Sequence, residues 1–362
     1  MRVHPHDELI RQASQRQDRG LDRVLEHVAS CAKCRARLAR KRRQQEEGPV
    51  FGRSLGVLAR RQAVLEGERS EAPSLFGSLV ALAPGQQLLL LKNSHRFRTW
   101  GLFELLIERG KEETFTDPRH AEQLLQLALR IADDLPPASY GRELIEDLRA
   151  RAWGYIANAC RCRRELTAAE EAFEEAFSRL RGGTEDPLEQ ATLFDLQGSL
   201  RRYQGRLEES LQLSRRAIAV FHRLGQKHAL GKAIVNLAVY QAESGDRIQA
   251  IQSLHQALEL IDVAGEPPLA LLILHNLTTD LAASGYFMET QRVLQQSRTL
   301  CRRFPELKNR GLWLEGNVAS ALGRREEAES IFQQAIDGFL ATKTLLLAGL
   351  VAHDLAALRA HR

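Results

Sequence analysis

From about residue 141 onward, small and large apolar residues alternate with polar ones in a pattern that returns at intervals near forty residues. Each return is marked by a triplet spaced i, i+4, i+7: Ala169/Phe173/Ala176, Ser210/Ser214/Ala217, Ala250/Leu254/Ala257, Thr290/Leu294/Ser297 and Ala328/Phe332/Ala335. That spacing places the three on one face of a helix. The first members stand 41, 40, 40 and 38 residues apart. Five residues before each first member is a turn position, Arg164, Gly205, Gly245, Gly285 and Gly323, where glycine suits a chain leaving a helix in the left-handed conformation. Sixteen residues before it is a large apolar residue, Trp153, Phe194, Ile234, Leu274 or Leu312. Each unit therefore reads as helix, turn, helix, with small residues where two helices cross closely, and five such units cover 141–340.

The flanks carry weaker versions of the pattern. Ala121, Leu125 and Ala128 repeat the second-helix triplet, and Leu102 to Ile107 can serve as its first helix, so 75–140 is a helical segment with a degenerate repeat. Lys343 to Leu358 shows an apolar face of Leu345, Leu346, Leu350, Leu355 and Leu358, which predicts a capping helix within 341–362. Residues 46–74, with Glu46-Glu47-Gly48-Pro49 and later Gly67-Glu-Arg-Ser-Glu-Ala-Pro73, read as a linker with a possible helix at Phe51–Leu65.

The large apolar residue, the turn glycine and the two small residues at fixed spacing resemble the tetratricopeptide repeat, with units near 40 residues instead of about 34. The resemblance implies an all-α fold, a tetratricopeptide-like right-handed helical solenoid, and a concave groove lined by the first helix of each unit. Carried over position by position, the groove residues are Asn158, Arg161, Ser199, Arg202, Asn236, Val239, Asn276, Thr279, Trp313 and Asn317. Asn236 and Asn276 fall at the same place in consecutive units, and an amide can donate to and accept from a peptide backbone at once. A protein or peptide partner in the groove is the expectation. The carboxylate clamp of chaperone-binding members of the family is absent, since its positions are too apolar here apart from Lys232 and Asn236.

The N-terminal 45 residues carry different chemistry. Leu25-Glu-His27-Val-Ala-Ser-Cys31-Ala-Lys-Cys34 contains His-x3-Cys-x2-Cys. Two thiolates at C-x2-C spacing can reach one tetrahedral zinc ion, and a histidine one helical turn earlier shares their face. His4 and His6 are the donors available for a fourth position. The segment resembles the zinc-binding finger of bacterial anti-sigma factors. In that family the upstream ligand precedes a helix, with paired apolar residues five and six positions on; His4 stands so to Leu9 and Ile10, and is preferred over His6. The resemblance implies a small helical module at 1–45, holding structural zinc through His4, His27, Cys31 and Cys34, with a sigma factor as candidate partner.

Charge sharpens this division. The net charge of +5 equals that of residues 1–50, where 12 Arg and Lys face 7 Asp and Glu. The run Arg35-Ala-Arg-Leu-Ala-Arg-Lys-Arg-Arg43 is dense in cations, but Leu38 within it and Glu46 and Glu47 after it favour a solvated face or an acidic protein partner over nucleic acid.

Five cysteines, odd in number and sparse, point to a reducing cytoplasm. Nothing reads as a membrane span or a signal peptide. Cys160 and Cys162 diverge by about 200° on one helix, so core packing accounts for at least one of them. His222, His228, His255 and His275 lack a convincing carboxylate or cysteine partner, and no catalytic motif occurs. The combined expectation is a non-enzymatic cytosolic regulatory adaptor. The alternatives are an interaction scaffold with a purely structural zinc module, and a nucleic-acid-associated regulator using 35–43.

Overall fold

The computed structural model describes residues 49–360, together with 32, 33 and 36. His4, His6, His27, Cys31 and Cys34 lie outside the described residues. The chain divides into two compact units, Met1–Ser70 and Glu71–Arg362. All regular structure among the described residues is helical: α1 (Pro49–Val80), α2 (Pro84–Asn93), a 3-10 turn at His95–Phe97, α3 (Trp100–Glu113), α4 (Pro118–Asp134), the single turn α5 (Pro137–Tyr140), then α6 (Arg142–Cys162), α7 (Leu166–Arg181), α8 (Pro187–Tyr203), α9 (Leu207–Arg223), α10 (Lys227–Glu243), α11 (Arg247–Leu260), α12 (Pro267–Ala283), α13 (Phe287–Arg303), a second 3-10 turn at Pro305–Leu307, α14 (Lys308–Ala321), α15 (Arg325–Ala341) and α16 (Leu345–Ala360).

The stretch read as a linker is helical from Pro49, and α1 runs on through Pro73 to Val80. Glu68, Glu71 and Ala72 are strong helix formers, and a proline removes one hydrogen bond without necessarily ending a helix.

Local chemistry fixes the ends of the repeat helices. Proline opens α4, α8 and α12, where its missing N–H costs nothing. Asp117, Asp186 and Asp246 accept from the backbone N–H of His120, Leu188 and Gln249 as N-caps of α4, α8 and α11. All five turn positions adopt positive φ: Arg164 at 67°, Gly205 at 75°, Gly245 at 95°, Gly285 at 79° and Gly323 at 72°. The next residue in each case donates back across the helix end, Glu165 to Cys160, Arg206 to Arg201, Asp246 to Gln241, Tyr286 to Leu281 and Arg324 to Ala319. This six-residue closure is the Schellman motif, and it sets the angle at which the second helix folds back on the first.

The triplets then meet as the spacing requires. Ala169, Ala176, Ser210, Ser214, Ala217, Ala250, Ala257, Thr290, Ser297, Ala328 and Ala335 are all buried, as are Phe173, Leu254 and Phe332. Gly316 of α14 lies so close to Phe332 of α15 that an added Cβ would sit 2.5 Å from the ring. The pair α3 and α4 packs in the same way, with Ala121, Leu125 and Ala128 buried and Gly110 against Leu125. The described part is an all-α solenoid with tetratricopeptide-like packing.

The packed face of α16 differs from the one the leucine pattern predicts. In α16 the buried residues are Leu347, Ala348, Val351 and Leu355, whereas Leu345, Leu346 and Leu350 are exposed. The helix is apolar around most of its circumference, so periodicity could not select the packed side. Nor does α16 act only as a lid: Trp313 Nε1 donates to Asp354 Oδ2 at 2.7 Å, a partner 41 residues on, which is the register of one repeat's first helix against the next.

Candidate functional site: the wall of first helices

Contacts between α6 and α8, α8 and α10, α10 and α12, and α12 and α14 align the first helices side by side. Because one unit spans about forty residues, side chains 41 or 42 apart meet across neighbouring helices. Asn236 Nδ2 donates to Asp195 Oδ1 at 3.0 Å, Ser199 and Tyr240 share a hydroxyl bond of 3.1 Å, and Arg202 makes a two-oxygen ion pair with Glu243. Further along, Asn317 Nδ2 lies 3.1 Å from His275 Nε2, and the Trp313 ring stands edge-on to the His275 ring at 4.8 Å. These rungs hold polar side chains in a half-buried row.

The residues expected to line the groove fare unequally. Asn158 and Arg161 are brought together, both buried, with Arg161 Nε and Nη2 donating to Asn158 Oδ1 at 3.0 and 2.8 Å. Arg202 is committed to Glu243 and Asn236 to Asp195, while Asn276 is half-buried and makes no side-chain hydrogen bond among the described residues. The two asparagines are therefore not equivalent rungs. Trp313 and Asn317 converge on His275, with Trp313 also anchored to Asp354. Asp195, Tyr203, Tyr240, His275 and Asp354 belong to the same wall, and sequence reasoning passed over them. The signal was available, since each lies one repeat interval from another wall residue. His228 also has a partner that spacing alone did not reveal: its Nε2 is 3.0 Å from Glu266, which also takes Lys232.

Burial tunes these groups. It raises the Asp195 carboxyl to about 6 against the opposing effects of the Asn236 hydrogen bond, Lys232 and Arg161. Burial also lowers His275 to about 4, so this ring is neutral at pH 7; Asp354 opposes the shift and Arg310 adds to it. The Tyr240 phenol is pushed up by burial and by Asp195. Arg310, lowered by burial alone, has no hydrogen bond or ion pair among the described residues.

Two other features lie outside this wall. Glu122, Cys160 and Glu165 bring ligand atoms within 4.8 Å of one another. Arg163, however, pairs with both carboxylates, and a guanidinium fills the cationic role. Cys160 is buried, and burial pushes its thiol up to about 11. A cleft of about 580 Å³ opens between α13 and α14, lined by Cys301, Pro305 and Leu312 with the Arg298–Glu315 ion pair at its side.

No helix among the described residues is long and apolar enough to cross a membrane. No family model matches the chain. No curated protein matches it. Solved structures do. Aspartyl phosphate phosphatase F from Bacillus subtilis is 11% identical, with a TM-score of 0.53 over 99% of this chain and 96% of that one. BtubC from P. vanneervenii is 20% identical with a TM-score of 0.43, covering 68% of this chain and 90% of its own. PilF of Pseudomonas aeruginosa is 16% identical with a TM-score of 0.41, covering 68% and 96%. Identities this low speak to fold alone. The class the structure defines is a tetratricopeptide-like helical-repeat solenoid.

Proposed function

We propose that this chain is a non-enzymatic regulatory adaptor whose wall of first helices holds an extended peptide or a partner helix. The observation that carries the reading is the row of polar side chains on α8, α10, α12 and α14, fixed in place by cross-helix hydrogen bonds. A surface that served packing alone would be apolar, and one that served only solubility would be charged and exposed. Here amides, hydroxyls and aromatic rings are preorganised, which lowers the entropy lost when a peptide docks. Asn276 retains its full hydrogen-bonding capacity for a backbone amide.

The groove is tested by photo-cross-linking the full chain to its cellular partners and comparing Asn276→Ala/Asn236→Ala. The partner should be recovered by the wild type, with affinity about tenfold lower in the variant, the loss of roughly two hydrogen bonds. Equal recovery by both would place the interface elsewhere.

In the same reading, residues 1–45 form a zinc module held by His4, His27, Cys31 and Cys34, with His6 as the alternative to His4. Its role is control of a sigma factor. Metal analysis of the purified full chain should find about one zinc per chain, and Cys31→Ser/Cys34→Ser should find none. A wild-type chain without zinc would sink the module. A sigma factor recovered by the wild type but not by the zinc-free variant would support the regulatory role, and recovery of the same other partners by both would leave the zinc structural.

A further inference from the structure

Three guanidinium groups converge on one tyrosine at the C-terminal ends of α6 and α8. The Tyr203 ring has Arg164 at 4.6 Å, Arg161 at 4.9 Å and Arg202 at 5.3 Å from its centroid. Each contact is favourable for a cation over an aromatic face, but the cations repel one another, and their counter-charges are few. Arg202 is matched by Glu243. Arg161 is only 5% exposed, yet its hydrogen bonds go to the Asn158 amide oxygen and the Cys162 sulfur, and it forms no ion pair among the described residues. The Asp195 carboxylate feels its field, but is already hydrogen-bonded to Asn236. Arg164 is exposed, and its guanidinium makes no ion pair or hydrogen bond among the described residues. The neighbouring Glu165 is paired with Arg163, which also holds Glu122, and so offers it no compensation.

The backbone at Arg164 is a second, independent observation, although Glu185 at 57° and Lys343 at 56° share its left-handed conformation. Arg164 occupies the turn position filled by Gly205, Gly245, Gly285 and Gly323 in the other four units, and does so at a φ of 67°. A side chain with a Cβ is strained in this region and glycine is not. An arginine there sets backbone strain against a guanidinium placed beside Arg161 and Tyr203. Among the five repeat turn positions, Arg164 is the one where a side chain is kept at that cost.

We propose that the Arg161–Arg164–Arg202–Tyr203 cluster is an oxyanion subsite, which receives an acidic side chain of a peptide held on the wall. This rests on the peptide-binding reading above and deepens it by naming the partner's chemistry. The planar fork of a guanidinium pairs two N–H donors with two oxygens of a carboxylate or phosphoryl group. Arg164, exposed and free, is the group that closes on the ligand, and buried Arg161 supplies a fixed positive field behind it.

The test variant is Arg164→Gly, which removes the guanidinium while giving the turn the residue its backbone prefers, so the fold is retained. Two measurements on the full chain separate the subsite from the groove. In the first, inorganic phosphate is added at constant ionic strength. The wild-type melting temperature should rise and that of Arg164→Gly should stay flat; equal responses overturn the subsite. In the second, dodecapeptides selected on the wild type are resynthesised with Glu, phosphoserine or Gln at their acidic position. Gln should weaken wild-type binding about tenfold and leave Arg164→Gly unaffected, and the order of Glu and phosphoserine tells which oxyanion fits. Selected peptides that bind wild type and Arg164→Gly alike, with no need of an acidic residue, overturn the inference and leave the groove standing. A phosphate response without any selected peptide overturns the peptide reading and leaves only an anion site. A single-stranded oligonucleotide that binds in place of peptides and is lost in Arg164→Gly would reassign the cluster to nucleic acid.

Discussion

Phe332→Ala is expected to destabilise the C-terminal repeats by about 3–5 kcal/mol, the range for emptying a buried aromatic site. The ring is 1% exposed and sits in the core that α14, α15 and α16 share. Its fit depends on Gly316 across the helix pair, where an added Cβ would stand 2.5 Å from two ring carbons and 3.3 Å from a third. Gly316→Ala therefore combines two opposing effects. It gains about 1 kcal/mol of helix propensity and loses about 1–3 kcal/mol to overpacking. In the double variant the methyl group enters space the ring has left, so the clash vanishes and part of the cavity is filled. The double variant should be less destabilised than the sum of the two singles, by about 1 kcal/mol or more. Urea unfolding of the four proteins, followed by far-UV circular dichroism, measures the cycle. Additive losses would mean that Gly316 and Phe332 do not meet. Because a solenoid's stability is carried by nearest-neighbour interfaces, the loss should be concentrated in hydrogen-exchange protection of α14 to α16.

That glycine and phenylalanine show how the fold could be read in advance. The interval of about forty residues, the small residues of the triplets and the turn positions are all consequences of one geometry, two helices closed by a left-handed turn, and each leaves its own mark on the sequence. Arg164 is instructive because the register predicted a turn there against the local residue preference, and the backbone follows the register. What sequence did not disclose is equally physical. Asp195, Tyr240 and His275 have their partners on a neighbouring repeat, 41 or 42 positions away, so only the repeat interval and nothing local to those residues points to the contact. In α16, leucines occur on every side, so the choice between the Leu347/Val351/Leu355 face and the Leu346/Leu350 face was made by α15, which α16 packs against. The run from Gly67 to Pro73 looked like a linker because glycine and proline were weighted above the helix formers between them.

The wall also makes a prediction about pH, in which two of its members act in opposite directions. His275 has a folded-state value of about 4, below its ordinary 6.5, because burial between Trp313 and Asn317 disfavours the charged ring; Asp354 pulls the other way and Arg310 adds to the depression. As pH falls below 6.5 the unfolded chain binds a proton that the folded chain refuses until about 4, and stability is lost across that window. The full loss, for the fall from 6.5 to about 4, is about 3 kcal/mol. Asp195 is the reverse case. Its folded value of about 6 lies above the ordinary 3.8, so ionisation at pH 7 costs the folded state, and the cost is relieved as pH falls from about 6 towards 3.8. His275→Gln should therefore gain on the wild type as pH is lowered, by about 2–3 kcal/mol between pH 7 and pH 4.5. Asp195→Asn should have its advantage at pH 7, where the wild type carries a buried charge, and lose most of it by pH 4.5. Urea unfolding of the three proteins at the two pH values separates the effects. Parallel pH dependence in all three would mean that neither group is titrated out of its normal range, and that the wall is more open to water than its hydrogen-bonded rungs imply.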